Sequence, residues 1–203
     1  MRWDWLGVAA YRRVLADQLA LRERVWAGDD GAVLLCEHPP VITLGRSANR
    51  DNVLDAGDVP VETIERGGDV TYHGPGQLMI YPIIKLRRGV IDFLERVSSA
   101  ITEVCELFGV PDARWQRDPA GVWLAGAKLA ACGIHIARGV SVHGFAMNVA
   151  TPDDAWKRIN PCGLDAPLIS LSRARAERGI PDPELTVSIV AAELGPRIVR
   201  ALG

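Results

Sequence analysis

Four cysteines are among the chemically reactive residues of this chain, and one of them lies in an unusual context. Cys162 belongs to the turn-forming stretch Asn160-Pro161-Cys162-Gly163. A cysteine in such a loop is open to reagents, and it becomes a nucleophile when a nearby positive group stabilises its thiolate. Because free cysteine is most often a small buried hydrophobe, a purely structural role for Cys162 stays open at this point.

Lysine is scarce in the chain, so Lys128 stands out. It opens an apolar run, residues 128–136, that is typical of a β-strand, and in a regular strand Lys128, Ala130 and Cys132 would share one face. A lysine partly removed from water has a lowered pKa and can accept a proton or hold an anion. The alternative is that Lys128 begins the strand and extends its amine into water. Spacing alone does not bring Lys128 close to Cys162.

A glycine-rich segment, residues 66–77, reads RGGDVTYHGPGQ. Its four glycines exceed the needs of a hairpin, and glycine lets a ligand or another backbone approach closely. The segment contains neither GxxxxGK[ST] nor GxGxxG, so it predicts no nucleotide loop. It predicts one wall of a substrate site, with a plain hairpin as the alternative. His73 in this segment, together with His143, is a candidate general base or orienting group.

The composition excludes several classes of protein. Hydrophobic residues make up 48% of the chain and charged residues 24%, with a formal net charge of −2. These values are typical of a folded domain, and the lack of a basic excess argues against binding to nucleic acid or an anionic membrane. The cysteines form no CxxC pair, so no metal site is predicted. No stretch resembles a signal peptide or a membrane span, and we therefore expect a cytoplasmic protein with reduced thiols.

Hydrophobic periodicity predicts the elements that must position these residues. Helical spacing predicts helices over residues 8–26 and 94–108, and a last helix that starts near residue 185 and is interrupted at Gly195-Pro196. We expect one domain over residues 1–203, with an α+β fold, a mainly antiparallel mixed sheet and flanking helices. Residues 46–60 and 151–167 are expected to be irregular, and the predicted strands are 32–36, 41–44, 69–72, 77–86, 121–124, 128–136 and 141–149.

Four motifs in a fixed order carry a resemblance to a known family. They read RGGDVTYHGPGQ, GAKLAACGIHI, VHGFAMNV and INPCGL, between Arg66 and the residues around Cys162. In this order and at these separations they resemble the octanoyltransferase family, the lipoyl(octanoyl) transferases of the lipoate-protein ligase B type. The resemblance implies a fold like the catalytic domain of biotin and lipoate protein ligases. It also implies transfer of an octanoyl group to a lysine of a lipoyl domain, with no cofactor.

The resemblance also implies roles for individual residues. Cys162 would be the nucleophile that becomes an acyl thioester, and Lys128 would lower the pKa of its thiol. Backbone N–H groups of the glycine-rich segments are candidates for stabilising the tetrahedral oxyanion. Cys132 and His135 differ from the residues that the family has at these positions. The difference concerns fine contacts with the substrate and not the chemistry. The implied substrate-binding residues are Arg66, Gly67, Gly68, Asp69, Val70, Thr71, Tyr72, His73, Ala131, Cys132, Gly133, Gly144, Phe145 and Ala146.

The implied partners are octanoyl-acyl carrier protein as donor, and lipoyl domains of 2-oxoacid dehydrogenase E2 subunits and the glycine cleavage H protein as acceptors. A monomer is expected, with no nucleic-acid or membrane partner. Two alternatives stay open: an ATP-dependent lipoate or biotin protein ligase of the same fold, and a non-catalytic module that binds lipoyl domains. Acyl carrier proteins are acidic, so an arginine-rich set is a candidate for steering the donor. The set comprises Arg138, Arg158, Arg173, Arg175 and Arg178.

Overall fold

The computed structural model describes residues 1–160 and 167–203. Within these ranges the chain forms ten β-strands and four α-helices. The helices are α1 (Tyr11–Trp26), α2 (Val90–Leu107), α3 (Leu171–Glu177) and α4 (Val187–Leu202). The strands are β1 (Arg2–Val8), β2 (Ala32–Glu37), β3 (Val41–Leu44), β4 (Val61–Thr63), β5 (Val70–His73), β6 (Gln77–Ile83), β7 (Arg114–Arg117), β8 (Ala120–Leu124), β9 (Ala127–Ala137) and β10 (Val140–Asn148).

The strands form two sheets. The large sheet has seven strands in the order β1-β2-β6-β10-β9-β8-β7, and the small sheet has the order β4-β3-β5. In the large sheet only the β1–β2 pair is parallel, and in the small sheet β3 is parallel to β4 and antiparallel to β5. The prediction of an α+β fold with a mainly antiparallel mixed sheet is thereby confirmed.

Helices cover both faces of the large sheet. The amphipathic helix α2 packs with α4 against one face, where the main core includes Val97, Ile101 and Leu194. Helix α1 lies on the opposite face against β6 and β10, with Val14 and Leu21 in a second core. The small sheet has a separate core. No helix among the described residues is long and apolar enough to span a membrane.

Several predicted boundaries are wrong, each for a tertiary reason. The predicted helix over 8–26 begins at Tyr11, because Arg2–Val8 pairs with β2 as an edge strand. Helix α4 is not interrupted at Gly195-Pro196. A Cβ atom on Gly195 would lie 2.3 Å from the Trp3 ring, so glycine lets α4 pack directly on β1, and this packing holds the helix together across the proline. The predicted irregular stretches contain 3₁₀ helices at Arg50–Asn52 and Asp153–Arg158.

Candidate functional site

A cavity of about 410 Å³ lies where the small sheet meets the large one, a size typical of small-molecule sites. The glycine-rich segment forms one wall, and β9 and β10 form the other. Tyr11 of α1 and Leu94 of α2 also contribute to it. The predicted binding residues that line it are Arg66, Gly67, Gly68, Thr71, His73, Ala131, Cys132, Gly133, Gly144, Phe145 and Ala146.

Arg66 is the buried anchor of the glycine-rich wall, with only 6% of its surface exposed. Its Nη2 atom donates to the carbonyl and the hydroxyl of Thr43, both at 2.8 Å, and to the Thr71 hydroxyl at 2.9 Å. The Gly67 N–H donates to the Ile134 carbonyl at 2.9 Å, which ties this wall to β9. That amide is therefore already used, and it is not available to stabilise an oxyanion.

Two positions of the opposite wall must be glycine, because other atoms lie where a Cβ atom would be. A Cβ atom on Gly133 would lie 3.0 Å from Arg66 Cδ, and one on Gly144 would lie 1.9 Å from the Ile80 carbonyl oxygen. The second distance is far below any real contact. Glycine at these positions therefore keeps both the Arg66 side chain and strand β6 close to the cavity wall.

Lys128 lies at the edge of this cavity, and its side chain does not extend into water. It is 6% exposed, and its Nζ atom lies 4.8 Å from the centre of the Trp123 ring. Among residues 1–160 and 167–203, no carboxylate oxygen lies within 4.0 Å of Nζ. A desolvated ammonium without a carboxylate in this part of the chain is suited to holding a substrate anion or a thiolate.

Strand β9 is not regular at Lys128. The register with β8 shifts between Val122, which faces Ala130, and Trp123, which faces Lys128. The neighbouring residues Leu129 and Ala130 both lie in the main core, which simple alternation forbids. The face-sharing of Lys128 and Ala130 predicted for a regular strand is therefore wrong. Cys132 is nevertheless close enough to Lys128 that the Lys128 charge offsets part of the rise in the thiol pKa that burial causes.

The three cysteines within the described residues are poor nucleophiles. Burial raises the pKa of the Cys105 thiol to about 12, and it raises that of Cys36 strongly. Burial also raises the pKa of Cys132 to about 12, with Lys128 lowering it by a smaller amount. All three are therefore thiols at neutral pH. Cys162 lies outside the described residues.

His73 and His143 both line the cavity and are almost fully buried. Desolvation lowers the pKa of His73 to about 3 and that of His143 to about 4. Both are therefore neutral at pH 7. His73 Nδ1 lies 2.8 Å from the Gln77 side-chain oxygen, and the His143 amide donates to Gln18 at 2.9 Å. A neutral histidine with its Nδ1 proton already donated is an orienting group and not a free general acid.

Three of the predicted binding residues lie away from the cavity. Asp69 accepts hydrogen bonds from the Asn49 amide at 2.8 Å and from Asn52 Nδ2 at 2.5 Å. Val70 and Tyr72 point into the core of the small sheet. These three residues hold the glycine-rich wall in place from behind.

Several cavity residues carry no motif that sequence reasoning would find. Tyr11 comes from a helix far from the glycine-rich segment, and Asp118 and Pro119 come from the β7–β8 turn. The Tyr11 hydroxyl is buried without a hydrogen-bond partner within the described part of the chain, and its ring stacks on His73. Met79 and Tyr81 also line the cavity, and they share one face of β6 because they are two residues apart.

The arginine-rich set does not form one free basic surface. Arg173, Arg175 and Arg178 each pair with an acidic side chain of this chain. Arg138 stacks on the Trp26 ring at 4.4 Å, and Arg158 donates to backbone carbonyls. Most of the positive charge that was expected to attract a carrier protein is thus already neutralised or engaged.

Sequence comparison relates the chain to a described family. The family profile described as "Lipoyl protein ligase A/B catalytic domain" matches residues 10–193. An octanoyltransferase from Geobacter sp. (strain M21) is 44% identical over 91% of this chain and 92% of its own length. An octanoyltransferase from Gloeobacter violaceus is 42% identical over 83% of this chain and 73% of its own length.

Structural comparison gives the same fold at low identity. A bi-partite lipoate protein ligase from Thermoplasma acidophilum superposes with a TM-score of 0.68 and 18% identity, over 98% of this chain and 81% of that one. A biotin protein ligase from Aquifex aeolicus superposes with a TM-score of 0.56 and 14% identity, over 100% of this chain and 69% of that one. At these identities the likeness concerns the fold alone.

Proposed function

This chain belongs to the lipoyl protein ligase A/B catalytic domain family, as an enzyme of its octanoyltransferase group, and from this we propose its reaction. The enzyme moves an octanoyl group from octanoyl-acyl carrier protein to a lysine of a lipoyl domain, through a thioester on Cys162. Residues 1–203 act as one catalytic domain in the cytoplasm, as a monomer. The acceptors are lipoyl domains of 2-oxoacid dehydrogenase E2 subunits and the glycine cleavage H protein.

The observation that carries this proposal is Lys128 at the edge of a small-molecule cavity. The cavity wall is largely apolar, with Leu94, Ala131 and Phe145 among its residues, and it suits an alkyl chain. The buried ammonium favours a thiolate over a thiol nearby. Among residues 1–160 and 167–203, Cys132 is the cysteine that lines the cavity, and its pKa of about 12 makes it a weak nucleophile.

Described residues before and after Cys162 in the sequence are held by backbone hydrogen bonds. The Asn160 amide donates to the Asn52 carbonyl at 2.7 Å, and the Lys128 amide donates to the Pro167 carbonyl at 2.8 Å. The second of these bonds joins Lys128 to a residue five positions after Cys162 in the sequence, which supports the proposed pairing of Cys162 with Lys128.

The proposed reaction has two balanced steps. The Cys162 thiolate attacks the carrier thioester, and the carrier leaves as a thiol after taking up a proton. The lysine amine of the lipoyl domain then attacks the enzyme thioester, forms an amide, loses a proton and returns Cys162 to its thiolate. Lys128 stabilises the thiolate at the start and end of the cycle. The first step is nearly balanced in free energy and the second is downhill, so no ATP is needed.

The test is an intact-mass measurement of the enzyme after exposure to octanoyl-acyl carrier protein without an acceptor. We expect the mass to rise by one octanoyl group, in an adduct that hydroxylamine cleaves and a lipoyl domain discharges. Cys162→Ala should abolish the adduct, and Cys132→Ala, the matched control from the cavity wall, should keep it. An adduct that is lost only in Cys132→Ala would show that Cys132, and not Cys162, is the nucleophile. Adenylate formation from octanoate and ATP without carrier protein would favour a ligase instead.

A further inference from the structure

A chain of buried polar side chains links the glycine-rich wall to the backbone at Lys128. Thr43 Oγ1 lies 3.2 Å from His73 Nε2, and His73 Nδ1 lies 2.8 Å from Gln77 Oε1. Gln77 Nε2 donates to Asn148 Oδ1 at 2.9 Å. All four residues are at least nine-tenths buried, so the links are shielded from water. We call these four linked side chains, Thr43, His73, Gln77 and Asn148, the relay.

The relay has one consistent direction of donation. Arg66 donates to Thr43 Oγ1, so the Thr43 hydroxyl is free to donate its own proton to His73 Nε2. His73 is neutral, with a pKa lowered to about 3 by burial, and it carries its single proton on Nδ1 towards Gln77. A protonated His73 would place an N–H group against the hydroxyl and break this order. The last donor in the relay is the Asn148 amide.

The Asn148 amide ends at the backbone that surrounds the proposed reactive residues. Its Nδ2 atom lies 3.5 Å from the Lys128 carbonyl and 3.4 Å from the Ile169 carbonyl. The Ile169 amide itself donates to the Lys128 carbonyl at 3.2 Å. Asn148 therefore contacts both β9 at Lys128 and residues 167–169, at the point where these two segments pair.

We propose that Gln77 and Asn148 are positioning residues, which hold the backbone of Lys128 against residues 167–169 and couple that pairing to the Arg66 wall. This inference rests on the proposed function. Neither side chain lines the cavity, so neither meets the substrate. A loose pairing would let the Lys128 ammonium drift from the thiolate, and the rate would fall although the cavity still bound the acyl chain.

The sharpest test is Asn148→Asp. The carboxylate keeps one oxygen as acceptor for Gln77 and turns the other, in place of the amide donor, towards two carbonyl oxygens. Where the carboxyl is ionised, losing this hydrogen bond should lower kcat about tenfold, with little change in KM for the carrier protein. Protonation of the carboxyl restores the donor, so the ratio of variant to wild-type kcat should rise as pH falls.

The pH dependence of that ratio has few other sources. The charged or titratable groups around the relay among the described residues include Arg66, His73 and Lys128, and Tyr11, His38 and His143 act on or face His73. All of them are present in both proteins. His73 has a pKa of about 3, so it does not titrate near neutral pH. Burial raises the pKa of the introduced carboxyl, and a protonated carboxyl keeps the donor, so the deciding variant is Asn148→Ala, which cannot donate at any pH. A wild-type kcat in folded Asn148→Ala would overturn the proposal.

Two further variants separate positioning from general stability. Gln77→Met breaks the relay one link before Asn148, and we expect kcat to fall by about threefold. Ser141→Ala is the matched control. Ser141 lies on β10, as Asn148 does, is fully buried and donates to the Pro82 carbonyl at 2.6 Å, at the end of the strand away from Lys128. It should lower the melting temperature to a similar extent and leave kcat unchanged. Equal losses of kcat in Ser141→Ala and Gln77→Met would show that the relay only stabilises the fold, and this result would contradict the proposal.

Amide hydrogen exchange gives a reading that does not need the enzyme to transfer octanoyl groups. The Lys128 and Ile169 amides close the pairing with residues 167–169, so both should exchange faster in Asn148→Ala, or in Gln77→Met if the former does not fold. They should keep wild-type rates in Ser141→Ala. If wild-type protein forms no octanoyl adduct, the proposed function fails while this measurement still decides the relay. Unchanged exchange at both amides in a folded relay variant would refute it.

Discussion

Replacement of Lys128 by methionine should separate its chemical role from its structural one. Lys128 is 6% exposed, and within residues 1–160 and 167–203 no acidic side chain pairs with it. Methionine has nearly the same length and volume, and it removes the cost of keeping an ammonium away from water. We therefore expect a folded Lys128→Met variant with a melting temperature close to that of the wild type.

The chemical effect should be much larger. A unit charge about 6 Å from a thiolate, at an effective dielectric constant of about 20, stabilises it by roughly 3 kcal/mol. This energy corresponds to about two pKa units, so below the midpoint the thiolate fraction should fall about 100-fold. Acyl transfer should fall in proportion if the attack by the thiolate limits the rate.

Alkylation with iodoacetamide, followed cysteine by cysteine between about pH 6 and 10, measures this effect because only the thiolate reacts. Cys105 and Cys132, each with a pKa of about 12, are internal references that should stay unlabelled while the protein is folded. Lys128→Arg keeps the charge and should keep the Cys162 midpoint near the wild-type value. A Cys162 midpoint that is the same in Lys128→Met and in wild type would refute the activation of the thiol by Lys128. The loss of activity would then point to positioning of the acceptor.

Three further predictions follow from the cavity and its surroundings. Gly144→Ala should destabilise the protein severely in thermal melts, because its Cβ would lie 1.9 Å from the Ile80 carbonyl oxygen, whereas Gly67→Ala, at 3.4 Å from its nearest neighbour, should be much milder. His73, with a pKa lowered from 6.5 to about 3 by burial, binds a proton more readily when unfolded, so its contribution to stability is complete above about pH 6.5 and is lost as pH falls towards about 3. Urea midpoints should therefore drop more steeply with acid in wild type than in His73→Gln, and equal slopes would contradict this. Arg173 is already paired with Asp153 and Glu177, so Arg173→Gln should change KM for the carrier protein less than about twofold at physiological salt. A large increase in KM would contradict this prediction and would indicate that Arg173 contacts the carrier protein.

Local sequence patterns predicted the elements whose hydrophobic period is undisturbed. The stripe from Leu94 to Cys105 predicted most of α2, and the alternating runs with tight turns predicted the β8–β9–β10 meander. The short strands β4 and β7 were missed because each has one apolar residue, and edge strand β1 was missed because its formation depends on pairing with β2.

The candidate site was predictable where its chemistry follows from residue type, and not where it depends on register. The glycine-rich segment and Lys128 could be singled out from the sequence. The link between Gln77 and Asn148 spans 71 positions and exists only because β6 and β10 pair as neighbours. The shift in register beside Lys128 has no local signal either, and it alters which neighbours share its face.

The two walls of the cavity rest on independent hydrophobic cores. Ile42, Leu44, Val70 and Tyr72 support the glycine-rich wall, while the main core beneath β8, β9 and β10 supports Lys128. Redesign can exploit this division of the molecule. Libraries confined to the core of the small sheet, with Thr43 and His73 kept, would remodel the glycine-rich wall and leave the relay to Lys128 intact. Libraries in the main core would alter both at once, so an altered preference for chain length is best selected from the smaller module.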